Sequence, residues 1–241
     1  MNEHNVIAKE AIEFAKKHKK EIACRLTDIL LYPPDPIPIS VFMAGSPGAG
    51  KTEFSRNLVD QFTTPQRKVI CVDPDQLRSE LPGYIGKNSF LFQGAVSIIT
   101  DRILDQVFHQ NQSFILDGTF SHYGPAYKNI IRSLEHSRQV FIFFVYQHPG
   151  TAWEITKNRE RIEGRQIPKE AFVDEFFAAQ ETVMKLKAEF KEKLSLCFVD
   201  KETSKDTTQV YMQIDSIYQH LPERFTKEQF YSILKTYEIS S

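Results

Sequence analysis

From residue 39 onward the chain alternates two kinds of hydrophobic pattern. Runs at 39–44, 68–73, 113–117, 139–146 and 194–199 are apolar at most positions. Strands covered on both faces need that pattern, because both sides of the pleat meet apolar neighbours. Between the runs, apolar residues recur at helical spacing, as in Val96, Ile99, Ile103 and Val107, which places them on one helix face. Such β–α alternation predicts right-handed crossovers and an α/β three-layer sandwich around a mainly parallel five-stranded sheet.

Residues 5–31 read as a helix or helix pair, with Ile22, Leu26, Ile29 and Leu30 on one face. The segment YPPDPIP, residues 32–38, ends any helix and forms an extended linker. The organisation expected is thus an N-terminal helical segment with its linker over 1–36, then one domain over 37–241. The N-terminal helices are expected to pack on that domain, with docking of an inhibitor as the alternative use. Past the last strand, Val210, Ile214, Ile217 and Leu221 predict another helix, and Thr226 with Gln229 forms a capping-box pattern ahead of Phe230, Ile233 and Leu234.

Composition narrows the classes. The net charge of −1 and pI of about 6.7 give no global basic field for nucleic acid. The KKHKK cluster at 16–20 is local and reads as a solvated helix face. Three scattered cysteines, none in a CxxC pair, argue against a disulfide frame or zinc site and for a reducing compartment. The longest apolar run, VFIFFVY at 140–146, is too short to span a membrane. With no signal-peptide pattern at the N-terminus, the expected location is cytoplasmic.

The chemistry begins at AGSPGAGKTEF, residues 44–54, where Gly45, Gly50, Lys51 and Thr52 stand at G-x-x-x-x-G-K-[ST] spacing. In such a loop, here Gly45, Ser46, Pro47, Gly48, Ala49 and Gly50, backbone N–H groups turn inward around phosphate oxygens. Lys51 reaches the β- and γ-phosphates of ATP, and the Thr52 hydroxyl ligates Mg²⁺. The next informative piece is VICVDPDQLR, residues 69–78. Here Asp73 caps a helix begun by Pro74. Asp75 then stands at the sheet edge, where a carboxylate can accept the proton of an attacking hydroxyl, with Arg78 one turn on to hold the acceptor; the alternative is a purely capping pair of acids. FILDGTF, residues 114–120, ends a strand in Asp117, read as a Mg²⁺ partner, direct or through one of the ion's ligands, with Gly118 and Thr119 turning near substrate, or else as an ordinary strand-to-turn exit. Asp101, in the preceding helix, passes for a surface residue on its own. The segment KNRERIEGRQIPKE, residues 157–170, reads either as an arginine flap over the phosphates or as a solvated helix of Arg–Glu pairs. The guanine-selecting NKxD and transporter LSGGQ motifs are absent from the sequence. Acids and arginines after the second and fourth strands suit a small-molecule kinase better than a switch GTPase.

Taken together and in order, AGSPGAGKT, VDPDQLR, TDRILDQVFHQNQSFILDGT and R-x-x-x-x-x-R-x-x-P-K over residues 37–200 resemble the zeta toxin family of bacterial P-loop kinases. The resemblance implies a P-loop kinase-like fold and transfer of the ATP γ-phosphoryl to the 3′-hydroxyl of the amino sugar in UDP-N-acetylglucosamine. It also implies a toxin held by a small helical antitoxin that blocks the nucleotide site. By position it implies Lys51 and Thr52 for ATP and Mg²⁺, and Asp75 as the base. It further implies Asp101, Asp117 and Thr119 as substrate-binding residues. Arg165 matches one transition-state arginine; the other is Arg159 or Arg161, with Arg159 preferred. Where the family often has glutamate, Asp101 and Asp117 are a methylene shorter, which leaves another nucleotide sugar open. Two alternatives stand beside this one: a metabolic kinase for another small hydroxyl, and a nucleotide-dependent binding or switch protein.

Overall fold

All five apolar runs form strands. In the structure, a computed structural model describing residues 3–65, 67–201 and 208–239, the elements follow in chain order. They are α1 (Glu3–Leu26), β1 (Ile39–Ala44), α2 (Lys51–Phe62), β2 (Val69–Val72), α3 (Pro74–Arg78), α4 (Gln93–His109), β3 (Ser113–Leu116), α5 (Tyr123–Glu135), β4 (Gln139–Tyr146), α6 (Pro149–Glu163), α7 (Lys169–Phe190), β5 (Ser195–Asp200), β6 (Gln209–Tyr211) and α8 (Lys227–Ile239). Residues 1–2, 202–207 and 240–241, within the expected N- and C-terminal segments, lie outside the described residues.

The sheet has six strands in the order β2-β3-β1-β4-β5-β6. Pairing is parallel throughout except at β5–β6. Along β1, Ile39, Val41 and Met43 meet Phe54 and Leu58 of α2 on one face. Phe42 and Ala44 point into the larger core on the other, shared with α1, α4, α5, α6, α7 and α8. This two-sided burial makes the layered sandwich and explains why the runs are apolar without alternation.

The sixth strand corrects the expected five, and it corrects the helix expected around Val210. Residues 209–211 instead form an antiparallel edge strand, with Val210 and Tyr211 largely exposed. Ile214 and Ile217 are buried, the first through a backbone N–H donated to the Leu196 carbonyl at 2.9 Å and the second in a single 3-10 turn. Two anchors on either side of a bend thus reproduce helical spacing without a helix. The capping box is present: Thr226 N–H donates to Gln229 Oε1 at 2.8 Å, and Gln229 N–H to Thr226 Oγ1 at 3.2 Å, opening α8.

At the other end, α1 stops at Leu26, five residues before the predicted limit of 31, and leaves Leu30 88% exposed. Its buried face is Ala11, Ala15, Ile22 and Ala23, packed against α4 within the main core. Small side chains there let the two helices approach closely. The linker is pinned by Asp35, buried and bonded to Ser113 Oγ at 2.6 Å and to Arg67 Nε at 2.5 Å.

Arg138 fastens the same N-terminal edge of the sheet. Only 4% exposed, it donates to Ser40 Oγ at 2.7 Å, the Ile39 carbonyl at 2.8 Å and the Gln112 carbonyl. Its guanidinium lies 5.3 Å from the ring centroids of both Phe108 and Phe114. Burial pushes its pKa down to about 10. Arg138→Ala is expected to cost about 3 kcal/mol, since it leaves three buried acceptors unsatisfied beside an arginine-sized void. Denaturant unfolding checks this.

Candidate active site

Two positions in the loop after β1 can only be glycine. A Cβ on Gly45, at φ +134°, would lie 2.3 Å from the Val145 carbonyl oxygen; one on Gly48, at φ +71°, would lie 2.0 Å from that of Ala152. The loop is therefore wedged against β4 and α6, and its backbone can curl where a side chain would clash. α2 begins at Lys51, so its positive N-terminal end points into the same space. Lys51 is 9% exposed and folds back on the loop, donating Nζ–H to the Gly45 carbonyl at 3.0 Å and the Ser46 carbonyl at 2.6 Å. Burial lowers its pKa, while Asp117, Glu175 and Asp75 oppose that shift.

Around this loop opens a cavity of about 440 Å³, lined by residues from distant parts of the chain. Pro47, Gly48, Gly50, Lys51 and Thr52 form its floor. Gly45, Ser46 and Ala49 stand outside the lining, with Ser46 and Ala49 buried. β2 delivers the first acids. Asp73 caps α3 by accepting from the N–H groups of Asp75, at 2.8 Å, and Gln76, and Asp75 projects into the cavity one residue after Pro74. Both of its carboxylate oxygens are engaged, Oδ1 by Arg78 and Oδ2 by Arg165. Burial raises the Asp75 pKa, but these two guanidiniums more than reverse that and hold it below the usual carboxylate range. Arg78 is itself fixed by Gln93 at 3.0 Å.

β3 delivers Asp117, buried and accepting from Ser55 Oγ at 3.2 Å, followed by Gly118, Thr119, Ser121 and His122 along the wall. Thr119 and Ser121 hydroxyls are 3.0 Å apart. Asp73, its pKa raised by burial and by the charges of Asp75 and Asp117, shares this wall. No cluster of three or more His, Cys, Asp or Glu side chains fit to hold a metal occurs among the described residues. The oxygen donors of Thr52 and Asp117 nevertheless suit Mg²⁺, which is commonly held by one or two protein oxygens, substrate phosphates and water. The mutual repulsion of Asp73 and Asp117 is what a cation there would relieve.

The arginine segment divides in two. Arg159, on α6, lines the cavity with its guanidinium on Glu163 at 3.2 Å, and Arg165 follows in the connection to α7. Arg161 faces away, bonded to Asn158 at 3.3 Å, and lines a separate cavity with Trp153 and Tyr237. Asp101 is not in the cavity either. α4 enters it at Gln93; Asp101 lies eight residues further on, about 12 Å along the axis, where it is half exposed and bonded to Lys128 at 3.1 Å. Cavity residues that sequence reasoning missed include Gln93, Ser121, His122 and Glu175, and it also missed Ser55, which holds Asp117 from behind the lining. None carries a local signal: each is a single polar residue within or beside a helix.

Comparison with known proteins places the chain in a family and a fold. A family model described as Zeta toxin matches residues 23–214. A search of curated proteins by sequence finds no significant match. Among solved structures, the chain is similar to one from the PezAT chromosomal toxin–antitoxin system of the human pathogen Streptococcus pneumoniae, with a TM-score of 0.64 and 15% identity over 94% of each chain. It is also similar to the AvrRxo1-ORF1:AvrRxo1-ORF2 complex. In the form with sulphate ions the TM-score is 0.60 at 12% identity, covering 96% of this chain and 84% of that one. In the form with ATP it is 0.54 at 14% identity, covering 86% and 65%. At these identities the likeness is one of fold.

Proposed function

The chain belongs to the zeta toxin family, and on that footing we propose that it transfers the γ-phosphoryl of ATP to a sugar hydroxyl of a nucleotide sugar, the 3′-hydroxyl of UDP-N-acetylglucosamine, as the toxin of a toxin–antitoxin pair. The observation that carries this reading is the meeting of Asp75 with Arg165 above the phosphate loop, from segments 90 residues apart in sequence. Loop and Lys51 hold the β- and γ-phosphates. Thr52 and Asp117 are the residues to hold Mg²⁺, which neutralises phosphate charge when bound.

Arg165 and Arg159 serve the charge on the transferring group. A γ-phosphoryl entering the cavity competes for Arg165, and its departure from Asp75 frees Oδ2. The acceptor hydroxyl then attacks the γ-phosphorus, its O–P bond forming as the bond to the β–γ bridging oxygen breaks. ADP leaves with that electron pair, and the hydroxyl proton passes to Asp75. A carboxylate of low basicity suits this reaction, because charge and bond making at the attacking oxygen come late in a loose transition state. Orientation of the hydroxyl is then the larger share of the work.

The antitoxin is proposed on the same footing, because the similar Streptococcus pneumoniae structure comes from a toxin–antitoxin system. A second reading, a kinase for another small hydroxyl, draws support from Asp101, which stands outside the cavity and so changes the acids available to the sugar. Purified protein given Mg-ATP and one acceptor at a time separates the two. UDP-N-acetylglucosamine is expected to stimulate ADP formation at least tenfold over buffer. Stimulation by a different alcohol alone would move the assignment to that acceptor.

A further inference from the structure

Among the carboxylates lining the cavity, Asp75 and Asp117 serve the proposed reaction, while Asp73 caps α3 and Glu53 and Glu163 pair with Lys201 and Arg159; Glu175 has neither kind of place. Glu175 lies on α7, where Phe172, Val173, Phe176 and Ala179 are buried in the core around it. That packing fixes the helix, so position 175 is half-buried and lines the cavity. Its carboxylate makes no hydrogen bond or ion pair among the described residues. Burial raises its pKa, and the charges acting on it are Lys51, Arg165, His122 and Asp75. A half-buried acid without a protein donor is costly unless something supplies donors to it.

Topology says which half of the cavity it serves. The phosphate loop follows β1, and β3 and β2 lie successively to one side of it. Asp75 follows β2 and His122 follows β3, so two of Glu175's charged neighbours belong to that side and the other two lie at the phosphates. Thr182, seven residues along α7 and therefore on nearly the same helix face, donates its hydroxyl to the Ser121 carbonyl at 3.3 Å. That contact keeps this face of α7 against the segment after β3. Nucleotide phosphates on the loop leave this side for the acceptor.

We infer that Glu175 is a specificity-determining residue of the acceptor site, accepting hydrogen bonds from hydroxyl or amide N–H groups of the sugar beside the reacting oxygen. It takes the place that Asp101 was expected to fill. The inference rests on the nucleotide-sugar reading above. Calorimetric titration of UDP-N-acetylglucosamine into the full chain, with Mg²⁺ and a non-hydrolysable ATP analogue present, tests it. Glu175→Gln is expected to weaken the nucleotide sugar on the order of 10- to 100-fold, the usual loss for a charge-assisted hydrogen bond in a closed site. Glu175→Asp is expected to fall between, and affinity for the ATP analogue to stay within about threefold in both. Equal sugar affinity in wild type and Glu175→Gln would overturn the role of Glu175 while leaving the kinase reading intact. A parallel loss of analogue affinity would place Glu175 on the nucleotide side and also overturn it. A wild-type chain that does not bind the nucleotide sugar would remove both the acceptor assignment and this inference.

Discussion

Asp75→Asn is expected to lower acceptor phosphorylation by roughly 10²- to 10⁴-fold, the range for loss of a positioned general base, while ATP binds as well as before or better. The two effects move in opposite directions for one electrostatic reason. Asp75 offsets the charges of Arg78 and Arg165 by contact with both. An amide of the same shape leaves those guanidiniums without a counter-charge, and a polyphosphate is the natural replacement. Damage to the fold would depress both quantities together, so the split is diagnostic. Nucleotide titration and acceptor turnover on the same preparation check it. Equal loss of ATP affinity and rate would instead make Asp75 a structural anchor for the flap arginine.

Lys51→Ala has the larger effect on binding. It removes the cation expected at two phosphates, and at about 1.5–3 kcal/mol for each charge-assisted hydrogen bond it is expected to weaken ATP on the order of 100-fold or more. Turnover is lost with it. There is a local cost as well, because Lys51 Nζ bonds the carbonyls of Gly45 and Ser46 and faces the carboxylates of Asp117, Glu175 and Asp75. Lys51→Met keeps the aliphatic stem and separates packing from charge: its unfolding midpoint is expected near that of wild type, with ATP binding still lost. Retained ATP affinity in either variant would deny Lys51 its phosphates.

The parts of this molecule readable from sequence are those whose cause is local. The phosphate loop is one contiguous segment, and the constraint on Gly45 shows in its spacing; the one on Gly48, at a free position of that spacing, comes from its contact with Ala152. β1 and β4 are buried on both faces, and continuous apolar runs announce that. By contrast β6 has three residues, two of them exposed, and leaves no such record. The buried pair Ile214 and Ile217 then imitated a helix. Helical phase decided the arginines: two residues apart on α6 means about 200° of rotation, so Arg159 faces the cavity and Arg161 cannot. Distance along a helix decided Asp101, since the point at which α4 meets the cavity, Gln93, depends on how α3 and α4 pack. Glu175 depends on the same kind of knowledge for α7. Its sequence neighbourhood, FVDEFF, gives no hint of which of two adjacent acids turns inward.

Mass spectrometry of UDP-N-acetylglucosamine after incubation with the wild-type chain and Mg-ATP, run beside Asp75→Asn, tests the account at its root. The wild type is predicted to convert the nucleotide sugar to a species heavier by one phosphoryl group, with one ADP formed for each, and Asp75→Asn to leave it unchanged. An unaltered nucleotide sugar in the wild-type reaction, or equal conversion by both proteins, would contradict it.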